Sequence, residues 1–214
     1  MPQVTVILPT WNRAKWLKKS IESVLSQTFQ DFELIVVDDA STDSTEEILE
    51  RYSGKIRDII LPENLGVSAA RNSAIMQSDS KWIAFLDSDD IWHAEKLEKQ
   101  IKQTRIIPKF QIHFTDEIWI RNGIIVNPKK KHRKREGWIF KPSLALCLMA
   151  PSTMMLHREL LERHGIFDEA LPVCEDYDLW LRLTAYHPAA LLNEKLMTRH
   201  CGHSDQLSKN LWGI

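Results

Sequence analysis

The chain has 214 residues, 43% of them hydrophobic and 27% charged, so it is long enough to bury a core without disulfide bonds. Its formal net charge of −1 argues against a protein that binds nucleic acid over its whole surface. The three cysteines are widely spaced and odd in number, which favours a reducing compartment, and the absence of a Cys-x-x-Cys pair disfavours zinc ribbons and redox motifs. No apolar run approaches the ~20 residues that span a membrane.

Strands and helices are predicted to alternate through the first ninety residues. Amphipathic spacing predicts helices at about 14–27 and 67–77, and Asp43 followed by Glu46 predicts a capping box that opens a shorter helix between them. Apolar runs predict strands at 4–8, 32–37, 55–61 and 81–86, and the third is expected at a sheet edge because it carries charges. This alternation predicts a parallel sheet with right-handed crossovers. Because the first strand is predicted to begin at residue 4, no signal peptide is expected before it.

Two of the predicted strands end on carboxylates, at Asp38-Asp39 and at residues 87–90. Because ligands of open α/β sheets bind at the carboxyl ends of the strands, we expect both groups at one ligand-binding edge. Closely spaced carboxylates there suggest a divalent metal that holds a phosphorylated ligand. The alternative is a solvated turn that caps a helix starting near Ile91. A dinucleotide fold and a P-loop are disfavoured, because neither glycine-rich motif is present.

The second half of the chain has a different pattern. Asn122-Gly123 predicts a hairpin between strands at 117–121 and 124–126. The other predicted elements are a helix at 93–106, a strand at 110–115, a helix at 144–149, a strand at 153–156, a helix at 158–164 closed by Gly165, a helix reaching Tyr186, a strand at 191–192 and a loop at 200–208. The basic run at 129–135 is interpreted mainly as a solvated mobile loop, and contact with an anionic membrane surface or an acidic acceptor is the alternative.

Six short stretches form a specific pattern when they are taken together, in order and at their spacings. They are VILPTWNR at 6–13, SQTF at 26–29, VVDDAS at 36–41, NLGVSAARN at 64–72, FLDSDD at 85–90 and EDYDLWLR at 175–182. Together they resemble the family 2 glycosyltransferases of the GT-A fold, over nearly the whole chain from Val4 to Ser208.

The resemblance implies an α/β GT-A fold with a mostly parallel central sheet, flanking helices and a smaller mixed region on the acceptor side. Residues 1–214 would form one domain, with a nucleotide-sugar-binding half at 1–107 and an acceptor-side half at 108–214. The implied activity is metal-dependent and inverting, and moves a sugar from a UDP-sugar to a saccharide or lipid-linked acceptor, as in bacterial cell-surface polysaccharide biosynthesis. The alternative is a catalytically inactive nucleotide-sugar-binding or scaffold protein of the same fold.

The resemblance also implies the residues that hold the donor nucleotide. Asp39 would accept a hydrogen bond from the base, while Thr10 and Arg13 would lie beside the nucleoside. The main chain at Pro9 would close over the nucleoside, and Arg71 would approach the base or the diphosphate. Residues Trp11 and Asn12 of the same motif are interpreted as structural.

The remaining implied roles concern the metal and the chemistry. Asp87, Ser88 and Asp89 would be the family's DxD element, in which Asp89 and Asp87 hold Mn²⁺ or Mg²⁺. Asp90 is expected to cap the next helix and to bind no metal. Asp176 would be the general base, with Glu175 and Asp178 as rivals, and His203 would contact the metal or diphosphate, with His200 as the competing candidate.

The expected partners are the nucleotide-sugar donor and a saccharide or lipid-linked acceptor, with no nucleic acid. Peripheral membrane contact through residues 129–135 is expected as an option, and a homodimer is a candidate assembly. The expected location is the cytoplasm, or the inner face of the membrane.

Overall fold

The computed structural model describes residues 1–202, which form one sheet of nine strands with seven α-helices. The strands are β1 Val4–Thr10, β2 Phe32–Asp38, β3 Arg57–Ile60, β4 Trp82–Phe85, β5 Ile91–Trp92, β6 Ile112–Arg121, β7 Ile124–Val126, β8 Met154–His157 and β9 Ala189–Cys201. The helices are α1 Ala14–Leu25, α2 Thr45–Glu50, α3 Val67–Met76, α4 Lys96–Ile106, α5 Phe140–Ser143, α6 Arg158–His164 and α7 Glu175–Thr184. Short 3-10 helices cover Lys130–His132 and Pro151–Thr153.

The strand order is β3-β2-β1-β4-β8-β6-β9-β5, and β7 pairs with β6. Strands β3, β2, β1 and β4 are parallel, as the alternating pattern predicts, and β3 lies at the edge as its charges predict. Strand β8 runs antiparallel between β4 and β6, so the second half adds a mixed region to the parallel sheet. The predicted mostly parallel sheet with a mixed region on one side is confirmed.

Successive residues of β1 are buried on opposite faces of the sheet. Val6 and Leu8 pack in one core with Leu17 and Ile21 of α1, whereas Ile7 packs in the other core with α3 and α7. A strand covered on both faces needs apolar residues at every position, which explains the continuous apolar run. Because α1 and α3 cover opposite faces, their crossovers diverge at β1, and a crevice is expected at its carboxyl end.

Several predicted boundaries are wrong because distant strands decide them. The strands predicted at 110–115 and 117–121 are the single strand β6, which pairs with β9 along its whole length. Strand β9 runs over 13 residues instead of the two predicted, with register shifts between Thr115 and Glu117 of β6. No helix covers the predicted range 144–149. Helix α5 instead ends at Ser143, and Leu148 and Met149 of the segment that follows pack in the core.

The prediction that Asp90 caps the following helix is also wrong. Residues Ile91–Trp92 form β5 against β9, and α4 begins only at Lys96. Asp90 is instead buried and accepts hydrogen bonds from the Ser152 hydroxyl at 2.6 Å and the His200 amide at 3.1 Å. Pairing with β9 therefore determines this carboxylate's surroundings.

The predicted capping box at Asp43 does not form. The N-cap of α2 is Ser44, which makes no side-chain capping bond. Asp43 accepts hydrogen bonds from the Thr45 amide at 3.1 Å and from the Ala14 amide at 3.0 Å. It thus connects the first turns of α1 and α2.

The hairpin predicted at Asn122-Gly123 is confirmed by the pairing of β6 with β7, and Gly165 follows α6 with a φ of 82° as predicted. The basic run is not wholly solvated, because the Lys134 side chain is only 6% exposed. Among the described residues, no helix has the length and apolar character needed to cross a bilayer.

Candidate active site

The two carboxylate groups predicted at the ends of β2 and β4 lie at the same edge of the sheet. β1 lies between these two strands, and the Asp39 amide donates a hydrogen bond to the Thr10 carbonyl at 2.9 Å at the end of β1. On the other side of β1, the Leu86 amide donates to the Ile7 carbonyl at 3.0 Å. The predicted shared edge is therefore confirmed, and it lies where the crossovers diverge.

Asp39 is buried and holds the loop that precedes α3. Its carboxylate accepts hydrogen bonds from the Leu65 amide at 2.8 Å, the Gly66 amide at 2.8 Å and the Asn64 side chain at 3.1 Å. A carboxylate has about four acceptor positions, so about one remains for a ligand. The loop contact explains the Asn-Leu-Gly sequence, and the base contact of Asp39 stays a prediction.

The loop after β1 is joined to the loop after β2. The Asn12 amide donates to the Ser41 hydroxyl at 2.8 Å, and the Asn12 side-chain oxygen accepts from the Thr42 amide at 2.7 Å. Asn12 has a φ of 51°, a conformation that asparagine tolerates better than most residues. These bonds fit the structural role predicted for Asn12. Binding and catalytic residues often lie on loops that a rigid sheet holds in place, and these bonds fix two such loops relative to each other.

The residues that are predicted to hold the nucleoside differ in their burial. Pro9 and Thr10 are buried at the end of β1, and the Thr10 hydroxyl is a buried oxygen without a hydrogen-bond partner among the described residues. Arg13 is half-buried at the N-cap of α1. Buried polar groups are normally hydrogen-bonded, so the Thr10 hydroxyl is a candidate ligand contact.

The turn at 87–90 is held from below by two serines that the sequence alone did not indicate. The Ser20 hydroxyl lies 2.7 Å from the Ser88 carbonyl oxygen and 2.8 Å from the Asp90 carbonyl oxygen. The Ser152 hydroxyl lies 3.0 Å from the Asp87 amide nitrogen, in addition to its bond to Asp90. These contacts fix the main chain of the turn, and Asp87 and Asp89 remain only half-buried.

The charges of this turn are crowded. Burial raises the pKa of Asp90 well above its ordinary value, and the negative charges of Asp89 and Asp87 raise it further. Burial also raises the pKa of Asp87, which the positive charge of Arg71 partly offsets. A site with this excess of negative charge favours a bound cation.

Arg71 is buried between two carboxylates at the base of the site. Its Nη2 donates to Asp87 at 2.8 Å and its Nη1 donates to Glu175 at 2.6 Å, while the guanidinium lies 5.0 Å from the Phe167 ring centre. The side chain is only 3% exposed, so both terminal nitrogens are occupied inside the protein. Arg71 joins the end of β4 to the start of α7, and its predicted contact with the nucleotide stays a prediction.

The start of α7 brings three carboxylates together, but they differ in their partners. Glu175 is paired with Arg71, and Asp178 accepts from Arg182 at 2.8 Å. The Asp176 carboxylate forms no ion pair among the described residues and accepts the Tyr177 amide at 2.8 Å. Burial raises the pKa of Asp176 to about 6, the charge of Glu175 raises it too, and Arg71 lowers it.

Arg199 on β9 was not singled out by the sequence and lies among the carboxylates of the site. Burial alone would lower the pKa of its guanidinium, but Glu117, Asp90, Asp87 and Asp176 together hold it above its ordinary value. The Arg199 guanidinium carries five N–H donors, and none of them donates to another side chain within residues 1–202. The sequence predicts a strand only at 191–192 and a loop from residue 200, so Arg199 falls between the predicted elements, and its only sequence signal is a charge near the predicted site histidines.

Of the two competing histidines, only His200 lies within the described residues; His203 lies outside them. The His200 Nδ1 is 3.0 Å from the Asp89 carbonyl oxygen, and its ring lies 5.5 Å from the Trp16 ring. Because a carbonyl oxygen only accepts, Nδ1 is the donor in this contact, and Nε2 can act as an acceptor or metal ligand when it carries no proton.

No group of three or more His, Cys, Asp or Glu side chains forms a preassembled metal site within residues 1–202. Mg²⁺ is commonly bound through one or two carboxylates together with substrate phosphates, so such a group is not required. The half-exposed carboxylates of Asp87 and Asp89 supply the hard oxygen ligands that Mg²⁺ and Mn²⁺ prefer. The residues present therefore fit a divalent ion held jointly with a diphosphate.

Solved structures share this fold. The chain superposes on S. aureus TarS in complex with UDP with a TM-score of 0.78 at 24% identity, covering 94% of this chain and 61% of that one. The fold is thus the α/β GT-A fold.

The family is defined by sequence. The model described as "Glycosyl transferase family 2" matches residues 5–165, and the chain belongs to that family. It is 32% identical to an uncharacterized glycosyltransferase of Rickettsia prowazekii over 85% of this chain, and it spans 58% of that relative. It is 28% identical over 98% of its length to the Escherichia coli protein WfaP, named UDP-Glc:alpha-D-GlcNAc-diphosphoundecaprenol beta-1,3-glucosyltransferase, and covers 81% of it.

Proposed function

We propose that this chain transfers a sugar, with inversion, from a UDP-sugar to a saccharide or lipid-linked acceptor. The observation that carries the proposal is the convergence of the loops after β1 and β2, the turn at 87–90 and Asp176 at one edge of the sheet. The relation to WfaP, whose name specifies a UDP-sugar and a diphosphoundecaprenol-linked acceptor, supports the choice of donor and acceptor classes. Cell-surface polysaccharide biosynthesis at the cytoplasmic face of a membrane is the corresponding setting.

The donor would lie in the crevice between the loop after β1 and the turn at 87–90. Pro9, Thr10, Arg13 and Asp39 would hold the nucleoside, and this placement is supported by the buried Thr10 hydroxyl, which has no hydrogen-bond partner within residues 1–202. Asp87, Ser88 and Asp89 would face the diphosphate. Arg71 would act indirectly, by holding Asp87 in position through its buried ion pair.

Arg199 and a divalent ion would balance the charge of the leaving group. The Arg199 guanidinium faces the carboxylates of the site and donates no hydrogen bond to another side chain of residues 1–202, so its donors suit diphosphate oxygens. Mn²⁺ or Mg²⁺ held by Asp89 and Asp87 would act as a Lewis acid on the diphosphate. His200 Nε2, or His203, would supply a further ligand.

Asp176 would be the general base. Its carboxylate would take the proton of the acceptor hydroxyl while that oxygen bonds to the anomeric carbon and the bond to the diphosphate oxygen breaks. Glu175 and Asp178 are engaged by Arg71 and Arg182, which supports Asp176 over its two rivals. A raised pKa of about 6 suits a base that works near neutral pH.

Donor binding is tested by thermal unfolding with UDP-, GDP- and dTDP-sugars in the presence of Mn²⁺. A UDP-sugar should raise the melting temperature of the chain, and Asp89→Ala should abolish the rise. Asp58→Ala, which removes an exposed carboxylate of β3, is the matched control and should keep it. If no nucleotide-sugar raises the melting temperature, the proposed donor site is wrong.

The chemical role is tested by transfer assays. Asp176→Asn should keep the donor-induced stabilisation and lose transfer by about 10²- to 10⁴-fold. Asp178→Asn removes a neighbouring carboxylate and should retain most of the activity. If the unmodified chain binds the donor but transfers no sugar, it is instead a catalytically inactive nucleotide-sugar-binding or scaffold protein of the same fold.

A further inference from the structure

The hairpin of β6 and β7 and the segment after it form an exposed basic surface beside the candidate site. We call residues 121–135 the basic hairpin. Its two consecutive isoleucines are 69% and 67% exposed, at Ile124 and Ile125, so neither face of β7 is covered. Its exposed cations are Arg121, Lys129, Lys130, Lys131, Arg133 and Arg135.

The strand register puts the basic hairpin next to the turn at 87–90. His200 contacts both Asp89 and Asp90, and its partner on β6 is Ile120. The turn at Asn122-Gly123 begins two residues later, which is about 7 Å of strand. The hairpin therefore projects from the rim of the site, on the side of β9.

The basic hairpin is anchored to the protein by its own residues. Lys134 is buried and donates to the Thr115 carbonyl at 2.9 Å, and it pairs with Glu117 at 3.1 Å. The His132 ring lies 5.0 Å from the Trp119 ring, nearly edge-on. One cation of the run thus fastens the segment to β6, while the exposed cations remain available to a partner.

The composition of this surface indicates the kind of partner. The whole chain has a net charge of −1, yet six exposed cations and only the acidic residue Glu136 lie on or directly after this hairpin. Cations attract the anionic headgroups of a membrane, and adjacent exposed apolar side chains suit shallow insertion at the bilayer interface. Phosphates of nucleic acid would use the cations but would leave the two isoleucines without a role.

We propose that the basic hairpin docks the chain on an anionic phospholipid surface, with the rim of the candidate site facing the bilayer. The purpose assigned to this contact rests on the proposed function, because docking would bring the site to a lipid-linked acceptor. The contact itself is a separate physical claim, since it needs neither donor binding nor transfer.

The test is sedimentation of the full chain with vesicles of phosphatidylcholine, alone or mixed with phosphatidylglycerol. The chain should bind only the anionic vesicles. A variant with Lys129→Gln, Lys130→Gln and Lys131→Gln should bind them on the order of a hundredfold more weakly. The control replaces Lys19, Lys55 and Lys102, exposed lysines elsewhere, with glutamine and should bind as the unmodified chain does.

A second variant, Ile124→Ser with Ile125→Ser, should lose the part of the binding that resists high salt. Three outcomes would each overturn the proposal. They are equal binding to both vesicle types, an equal loss of vesicle binding in the lysine control, and displacement of the chain from vesicles by a short RNA. UDP-sugar stabilisation in solution should be unchanged in both hairpin variants. Failure of donor binding with intact vesicle binding would therefore reject the proposed function alone.

Discussion

At the scale of single residues, partners separate carboxylates that look alike in the sequence. Glu175, Asp176 and Asp178 lie within four residues, but two of them are held by arginines, whereas the third accepts a main-chain amide and has no ion pair in the part of the chain that the structure describes. The same holds at the turn after β4, where Asp90 is buried and Asp87 and Asp89 are half-exposed. Tertiary packing therefore gives neighbouring carboxylates different partners and different degrees of burial.

The raised pKa of Asp176 predicts the pH dependence of transfer. The base works only when deprotonated, so kcat/KM should fall about tenfold per pH unit below about pH 6 and level off above it. A pH series with the donor in excess measures this. A profile that stays flat from pH 7 to pH 5 would show that another group takes the proton.

The same pKa predicts a stability effect. The pKa of Asp176 is higher in the folded protein than the ordinary value of 3.8, so the folded state favours the protonated carboxyl. This favourable contribution is fully present below about pH 4 and is lost as the pH rises through about 6. Asp176→Asn should therefore raise the free energy of unfolding by about 1 kcal/mol at pH 7, and by nothing near pH 4. Urea unfolding at the two pH values measures the difference.

At the scale of elements, the site depends on a connection between β4 and α7. Arg71 comes from α3 and binds one carboxylate from each of these elements, although Glu175 lies 104 residues away in the chain. The residue is therefore best understood as a positioning residue. Its motif could be found in the sequence, but its two partners could not.

Removal of the Arg71 guanidinium should destabilise the fold. Arg71→Gln leaves Glu175 buried without its cation, and the loss of one partner of a buried pair costs about 3 kcal/mol. The matched control is Arg163→Gln, which breaks an exposed pair with Glu159 and should change stability by about 0.5 kcal/mol or less. Equal urea midpoints for the two variants would contradict the positioning role.

At the scale of the whole molecule, the two sequence halves share their cores. Ile7, Ile35 and Phe85 from the first half pack in one cluster with Phe114, Met154 and Trp180 from the second half. Strand β4 also pairs with β8, so the sheet is continuous across the boundary near residue 107. This interdependence argues for a single folding unit.

The chain should therefore unfold in one cooperative step, and residues 1–107 produced alone should not fold. The fragment would expose the apolar side of β4 and lose the partners of one core cluster. Near-UV circular dichroism during urea titration tests both statements. A cooperative transition in the isolated fragment would instead define 1–107 as an independent domain.

Much of the fold could be predicted because it depends on local signals. Apolar runs, Asn122-Gly123 and Gly165 indicate β1, β2, β4, the hairpin and the end of α6, and these predictions are confirmed. The errors fall where pairing between distant residues overrides local preference. Strand β5, the length of β9 and the extended segment after Ser143 all belong to this group.

The sequence by itself determined the order of the motifs, and with it the family, the parallel half of the sheet and the edge at which the carboxylates gather. These follow from side-chain periodicity and from the rule that parallel strands share a carboxyl edge. Only the tertiary structure decided which carboxylates are buried and which are paired, and it alone brought Arg199 and the basic hairpin to the site. The physical reason is that charge pairing and burial depend on distances between residues far apart in the chain.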